Sequence, residues 1–400
     1  MIGKIIKNLK VNYVEILITF CLFSNLYPYI FPSFLYIIGV FLLALKILKY
    51  NVSFVSQNTI YVFFIAIICL SSIINLALDL RLILFVVILI VTGPFLTSIR
   101  WHLYKKKLMG FILKGFACTV IISLIAKLMG INYQVLYNLR GISAMMYGGV
   151  DEFSGFAKFP MWNSAAAAIS TIYFAYLLFK GKSTSLKYKW GYIVMLLVSM
   201  YVCIISASRS AFAFSVLSSV LLFYWLSFNV KTIVKYLVIL GALGILLFPF
   251  YMESAIRMVQ KQETQEKTGK SSRDALWAKR MEEFESSPVF GVGFAVNGVG
   301  MNKKIGRDES GSSWLAILAQ TGVIGVVIAL ILWFKTFVRP KKIKYDMEYT
   351  LIYALVCFFT FHSIFEGYMF QGGWYMCVIC WMCLGLLNEA QIYKHKLVML

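Results

Sequence analysis

Twelve apolar runs, each about long enough to cross a bilayer, constrain this chain more than any other feature. They fall near 12–28, 31–48, 59–76, 80–98, 108–129, 161–179, 190–207, 209–228, 233–251, 312–334, 347–365 and 369–388. A helix needs about 17–25 apolar residues to cross the hydrocarbon, and only there are all its backbone groups satisfied without water. With 60% hydrophobic and 14% charged residues, the chain is not an ordinary soluble domain. The expected fold is all-α: a polytopic membrane protein of about 12 transmembrane helices with a large external loop between helices 9 and 10. Pro28 and Pro32 mark the turn between the first two spans. The basic start MIGKIIKNLK runs into apolar sequence without a small-residue cleavage site, so the first span is expected to be retained.

Charge sorts the connections into two sets. Lys4, Lys7 and Lys10, then Lys46 and Lys49, then Arg100 and Lys105 to Lys107, open one set. It continues through Lys180 to Lys189, Lys231 and Lys235, Lys335 to Lys344, and Lys394 and Lys396. Acidic residues are nearly missing from it. The other set has very short links and two long loops, 130–160 and 252–311; the second holds ten basic and nine acidic residues. The excess of Lys and Arg on the cytoplasmic side puts both long loops outside and both termini in the cytoplasm. The same rule accounts for the formal charge of +21, so no nucleic-acid partner is expected. All eight cysteines fall in apolar segments. Disulfides are not expected to staple the exposed part, and Cys377, Cys380 and Cys383, despite a zinc-like spacing, read as a packed helix face.

These divisions give three parts: 1–251 with helices 1–9 and external loop 130–160, 252–311 as a large external loop, and 312–400 with helices 10–12. The polar interval from about Glu253 to Gly325 is where such a protein would keep its chemistry. Within it, Ser271 and Asp274 read as a capping box for a helix ending before Pro288. Arg273, Trp277, Arg280 and Phe284 recur at helical spacing on one face. Two guanidiniums flanking an aromatic suit a pyrophosphate grip, while an interfacial amphipathic helix reads equally from the pattern. The following SPVFGVGFAVNGVG is a glycine-rich turn without the preceding strand that nucleotide binding requires.

Further candidates lie outside this interval. Arg140, Asp151 and Glu152 stand among aromatic and glycine residues in the first external loop, a composition that suits sugar binding and also an interfacial belt. Arg209, within SASRSAF, opens a helix at the outer junction of two spans. Its guanidinium and the free N–H groups there favour an anion, against the alternative of snorkelling to lipid headgroups. His362 and Glu366 are four apart, which on a helix would make them an acid/base pair or a hydrogen-bonded pair in the bundle. His102 and His395 read as ordinary surface residues.

Short motifs then occur in order: S-R-S-A at 208–211, R-D-x-L-W at 273–277, S-P-V-F-G-V-G-F at 287–294, and S-S-W-L-A-I-L-A-Q-T-G-V-I-G at 312–325. Together with the span count and the late external loop, they resemble the O-antigen polymerase and ligase superfamily of bacterial envelope glycosyltransferases. The resemblance implies glycan chains carried on undecaprenyl diphosphate at the outer side of the plasma membrane, with the arginines at 209 and 273 on the lipid diphosphate. The ligase pattern has a histidine just ahead of the last motif, where this chain has Gly311, with Glu309 the nearest ionisable residue. A polymerase of O-antigen, capsule or exopolysaccharide is therefore expected ahead of a ligase of lipopolysaccharide synthesis.

In that role the acceptor hydroxyl needs a base, for which Glu309 is the first candidate and Glu366 the second. The leaving diphosphate needs positive charge from Arg209, Arg273 and Arg280. Trp277, Arg140, Asp151, Glu152, His362 and Ser312 complete the expected substrate-binding set. Transfer is expected to proceed by single displacement with inversion, without a metal or cofactor. The flippase and chain-length regulator of the same pathway are the expected protein partners. A flippase or transporter is the rival from another class; against it, the chain shows no internal repeat and its charges cluster at span ends. An envelope scaffold is the bland third reading.

Overall fold

A computed structural model describes residues 2–133, 153–180, 186–227, 273–300, 304–306, 311–338 and 347–397, and single positions at 234, 238, 241, 252 and 256. The helices are α1 (Ile2–Ser24), α2 (Phe34–Ile47), α3 (Thr59–Ile74), α4 (Leu80–Thr92), α5 (Ile99–Leu128) and α6 (Pro160–Lys180). There follow α7 (Leu186–Ile205), α8 (Arg209–Ser227), α9 (Asp274–Ser286), α10 (Ser313–Val338), α11 (Met347–His362) and α12 (Tyr375–Leu397). Two short antiparallel ladders pair β1 (Ser53–Phe54) with β2 (Leu96–Thr97) and β3 (Val296–Asn297) with β4 (Lys304–Ile305). Among the described residues, seven helices are long and apolar enough to cross a membrane, and α2, α4, α11 and the Asn12–Ser24 part of α1 are shorter apolar helices. The all-α polytopic architecture is as expected. The ninth run, 233–251, lies mostly outside the described residues.

Burial inverts the pattern of a soluble protein. The two innermost spans, α6 and α12, are among the least apolar of the seven, while the more exposed α10 and α5 are the most apolar. A lipid-facing helix must be apolar all round, whereas one enclosed by protein can carry small and polar side chains. Ala165 to Ala168 of α6 are at most 1% exposed, and their small side chains let α7 and α8 pack closely against it. Buried hydroxyls such as Thr92 and Thr171 donate to the carbonyl four residues back, so they cost no unpaired group.

Among the helix boundaries that depart from the apolar runs, two meet at the corner between α4 and α5. α4 stops at Thr92 and not near 98, because Gly93 and Pro94 follow and proline has no N–H for the ladder. α5 starts at Ile99, well before the expected 108, with the Ser98 hydroxyl accepting from Trp101 N at 3.2 Å. The basic residues taken for a loop are thus helical, and two of their neighbourhood turn inward. His102 is fully buried, contrary to the expectation that it lies on the surface: its Nδ1 is 2.9 Å from Glu389 of α12 and its Nε2 meets the Tyr349 hydroxyl of α11. Lys105, also fully buried, donates to the other Glu389 oxygen at 2.5 Å and to Thr92 O at 3.2 Å. The side chain of His395 lies outside the described ones.

The glycine-rich turn binds backbone to backbone against a break in α10. Gly322 interrupts that helix at φ 64°, ψ −168°. Across the break, Val292 N and Gly293 N donate to Ala319 O and Gln320 O, and Val323 N donates to Pro288 O. A β-carbon on Gly322 would sit 2.2 Å from Val289 O, and one on Gly291 would sit 2.3 Å from the Gln320 carbonyl carbon. The two most specific motifs are therefore halves of one joint. Gly322→Ala must strain a conformation that L-residues avoid and push the loop away, at an expected cost of about 2–3 kcal/mol. A lowered thermal midpoint of the detergent-solubilised protein checks this; an unchanged midpoint would contradict it.

Candidate active site

The joint carries α9 onto the flank of α10. The helix starts at Asp274, whose carboxylate suits the positive end of the helix dipole. The expected capping box is corrected here: the N-cap position belongs to Arg273, with no side-chain cap, and Ser271 lies outside the described residues. Gly311, at φ 63°, lets the chain pass close under the helix, where a β-carbon would lie 3.2–3.3 Å from Leu276 and Trp277. Its carbonyl accepts from Trp277 Nε1 at 3.2 Å.

Arg273 reaches the link after α11. Its Nη2 is 2.9 Å from Glu366 Oε1, and its guanidinium lies 5.4 Å from the centre of the Phe365 ring. Trp277 tilts against the same ring at 6.3 Å. From the other side, Phe214 of α8 stacks on Phe361 at 5.8 Å and Phe365 at 6.0 Å. Phe365 is thus the hub that brings the helix opened by Arg209 to the helix headed by Arg273. The Arg209 side chain is exposed, and the turn below it is pinned: Ser123 donates to Asn163 Oδ1, and Asn163 Nδ2 donates to Ser206 Oγ. Guanidinium groups, a helix start and an aromatic ring at one end of the bundle make a site suited to a phosphate-bearing ligand.

Glu366 is only 3% exposed. Its backbone carbonyl accepts from Ser313 N and from Ser313 Oγ, at 3.0 and 2.6 Å, and Met369 N donates to the same hydroxyl at 3.0 Å. Ser313 therefore fixes the link to the start of α10. Sequence reading passed over it; the serine doublet at the head of the last motif was the available signal. Ser312, its neighbour, is buried and caps α10, accepting from Leu315 N at 3.4 Å.

The expected helical pairing of His362 with Glu366 is not found. α11 ends at His362, so the four-residue spacing no longer places the two on one face. The His362 ring is fully buried between Phe358 and Tyr368, and neither nitrogen has a hydrogen-bond partner among the described residues. Arg280 also parts from Arg273. It is buried and held by Glu283 at 2.6 Å, Asn297 Oδ1 at 2.9 Å and Val296 O at 3.3 Å, while the second Glu283 oxygen accepts from Gly298 N. The two arginines of α9 thus serve different neighbourhoods. Glu309, Arg140, Asp151 and Glu152 lie outside the described residues. Cys377, Cys380 and Cys383 are fully buried within α12.

Residues 193–330 match the family model described as O-antigen ligase. This stretch, about a third of the chain, is similar to that family. This match supports the O-antigen polymerase and ligase superfamily, whose members are glycosyltransferase-like enzymes. The matched stretch contains Arg209, the whole of α9 and the glycine joint, whereas His362 and Glu366 lie beyond it. Its span-length apolar helices are those of an all-α polytopic membrane protein. No curated protein matches the chain.

Proposed function

We propose that the protein is a polymerase that joins oligosaccharide repeat units carried on undecaprenyl diphosphate into a surface polysaccharide, at the outer face of the plasma membrane. The observation that carries this reading is the Arg273–Glu366 pair set over Phe365 beside the Arg209 helix. The acceptor hydroxyl attacks the anomeric carbon of the donor sugar. The bond from that carbon to the diphosphate oxygen breaks, and the diphosphate leaves with the electron pair. Arg209 and Arg273 stabilise the charge that develops on it. The hydroxyl proton passes to a carboxylate, Glu309 or Glu366. Arg273 can exchange Glu366 for a diphosphate oxygen, so arrival of the donor frees that carboxylate to act. On this reading 252–311 is the catalytic loop between two helical parts, and the substrates enter from the bilayer.

Gly311 supports a polymerase over a ligase. It stands where the ligase pattern has histidine, and the space around its α-carbon is already filled by Leu276 and Trp277. A flippase and a chain-length regulator of the same pathway are the proposed protein partners. The test is to delete the gene in its native host and analyse the surface polysaccharide on a gel. Loss of polymer with single lipid-linked repeats on the outer leaflet is the expected result. Polymer that forms but stays on its lipid would indicate a ligase, and repeats held on the inner leaflet would indicate a flippase; either overturns the reading.

A further inference from the structure

A cavity of about 610 Å³ lies between α2, α4 and the glycine joint, and neither Arg209, Arg273, Trp277 nor Glu366 lines it. One wall is apolar. Ile37 and Phe41 of α2 and Leu80 and Ile83 of α4 line the cavity and are also 45–68% exposed on the outside of the bundle. The cavity therefore reaches the surface along helices whose outer faces suit lipid. Its floor is the ring pair Phe294 and Phe370, 5.1 Å apart.

The other end is polar, and two of its atoms lack a hydrogen bond among the described residues. Arg81 Nη1 is shut off from solvent and has no hydrogen bond among the described residues, where it pairs with Asp79 Oδ2 at 3.7 Å. Asn25 is 8% exposed, and its Oδ1 has no partner among the described residues. Arg280 presents a second guanidinium, held rigid by Glu283 and Asn297. Buried polar atoms are nearly always bonded, so an unpaired donor and an unpaired acceptor facing one cavity mark the place of a ligand. That ligand must offer acceptor oxygens to Arg81 and a hydroxyl to Asn25, and must lay an apolar chain along α2 and α4. A membrane lipid with a phosphate-bearing, hydroxylated head has this chemistry.

Joining two lipid-linked glycans requires two such seats, and the Arg273 site supplies one. We propose that this cavity is the other: it seats the acceptor, with its lipid phosphate on Arg81 and Arg280, a sugar hydroxyl on Asn25, and its lipid against α2 and α4. The word acceptor rests on the polymerase reading; the site itself does not.

The test uses the purified full-length protein with farnesyl diphosphate as the probe and pyrophosphate as its chain-free counterpart, followed by native mass spectrometry. Two bound farnesyl diphosphates per chain are expected. Arg81→Ala should weaken one of them at least about tenfold and leave the other, and Arg273→Ala should do the reverse. Ile83→Trp, at an exposed position, fills the cavity without removing a charge and should mimic Arg81→Ala. Pyrophosphate should bind more weakly than farnesyl diphosphate at the Arg81-dependent site. Binding unaffected by both Arg81→Ala and Ile83→Trp, or a single site lost with Arg273→Ala, would overturn the proposal. Arg81-dependent binding in a protein whose deletion leaves polymer intact would keep the site and remove only the polymerase reading.

Discussion

Arg273→Ala is expected to lower polymer formation by at least about 100-fold, the usual effect of removing a charge aimed at a leaving group in a dry site. The variant has a second consequence. Glu366, with a side chain only 4% exposed, loses the cation 2.9 Å away, which raises the cost of keeping its carboxylate buried. Lower abundance alone would therefore not separate a catalytic role from a structural one. The double variant Arg273→Ala/Glu366→Gln does, because it removes both charges. If Arg273 binds the diphosphate, the double variant regains a normal amount of protein and still makes little polymer. Recovery of both protein and polymer would show that the pair only holds the link to α9, and the assignment would fall.

At the opposite end of the bundle the largest stability effect is expected from Glu389→Ala. Lys105, His102 and Glu389 are all fully buried, and the carboxylate joins α12 to two side chains of α5. Breaking a buried pair by removing one partner costs about 3–5 kcal/mol, since the remaining charge is stranded. Here the stranded ammonium of Lys105 would keep the Thr92 carbonyl and the face of the Trp101 ring, 5.7 Å away, and no carboxylate among the described residues. The thermal midpoint of Glu389→Ala in detergent should fall clearly, and Lys105→Met/Glu389→Leu should recover most of the loss. A Glu389→Ala protein that melts with the wild type would show that these charges carry no stability. Neither variant touches the Arg273 site, so whatever folded protein remains should polymerise normally.

These two clusters show different degrees of legibility. Arg209 was visible because charge at the end of an apolar span is costly and stands out, and Arg273 because it recurs at helical spacing with Trp277 and Arg280 in the long polar loop. Glu366 was visible as a residue, but its partner was misread. A spacing of four points to His362 only while the helix continues, and α11 stops there. The true partner is 93 residues away in sequence. The Lys105–His102–Glu389 network was hidden because lysines beside an apolar run look like a cytoplasmic loop. Nothing local distinguishes a lysine that meets water from one that meets a carboxylate 284 residues later.

The order of apolar runs was enough to determine an all-α membrane architecture, since lipid leaves a backbone few alternatives and each span satisfies its own hydrogen bonds. The motifs were enough to point to the family that residues 193–330 match, and the Gly291 and Gly322 joint gives two of them one physical basis: both glycines are required by one backbone-to-backbone contact. Tertiary structure alone decided which charges meet. The hydrophobic pattern repeats with the period of a helix and specifies which face is apolar, but it carries no record of which helix will lie opposite. Ion pairs such as Arg273–Glu366 and Lys105–Glu389 form between helices far apart in the chain, so their existence depends on packing and not on spacing.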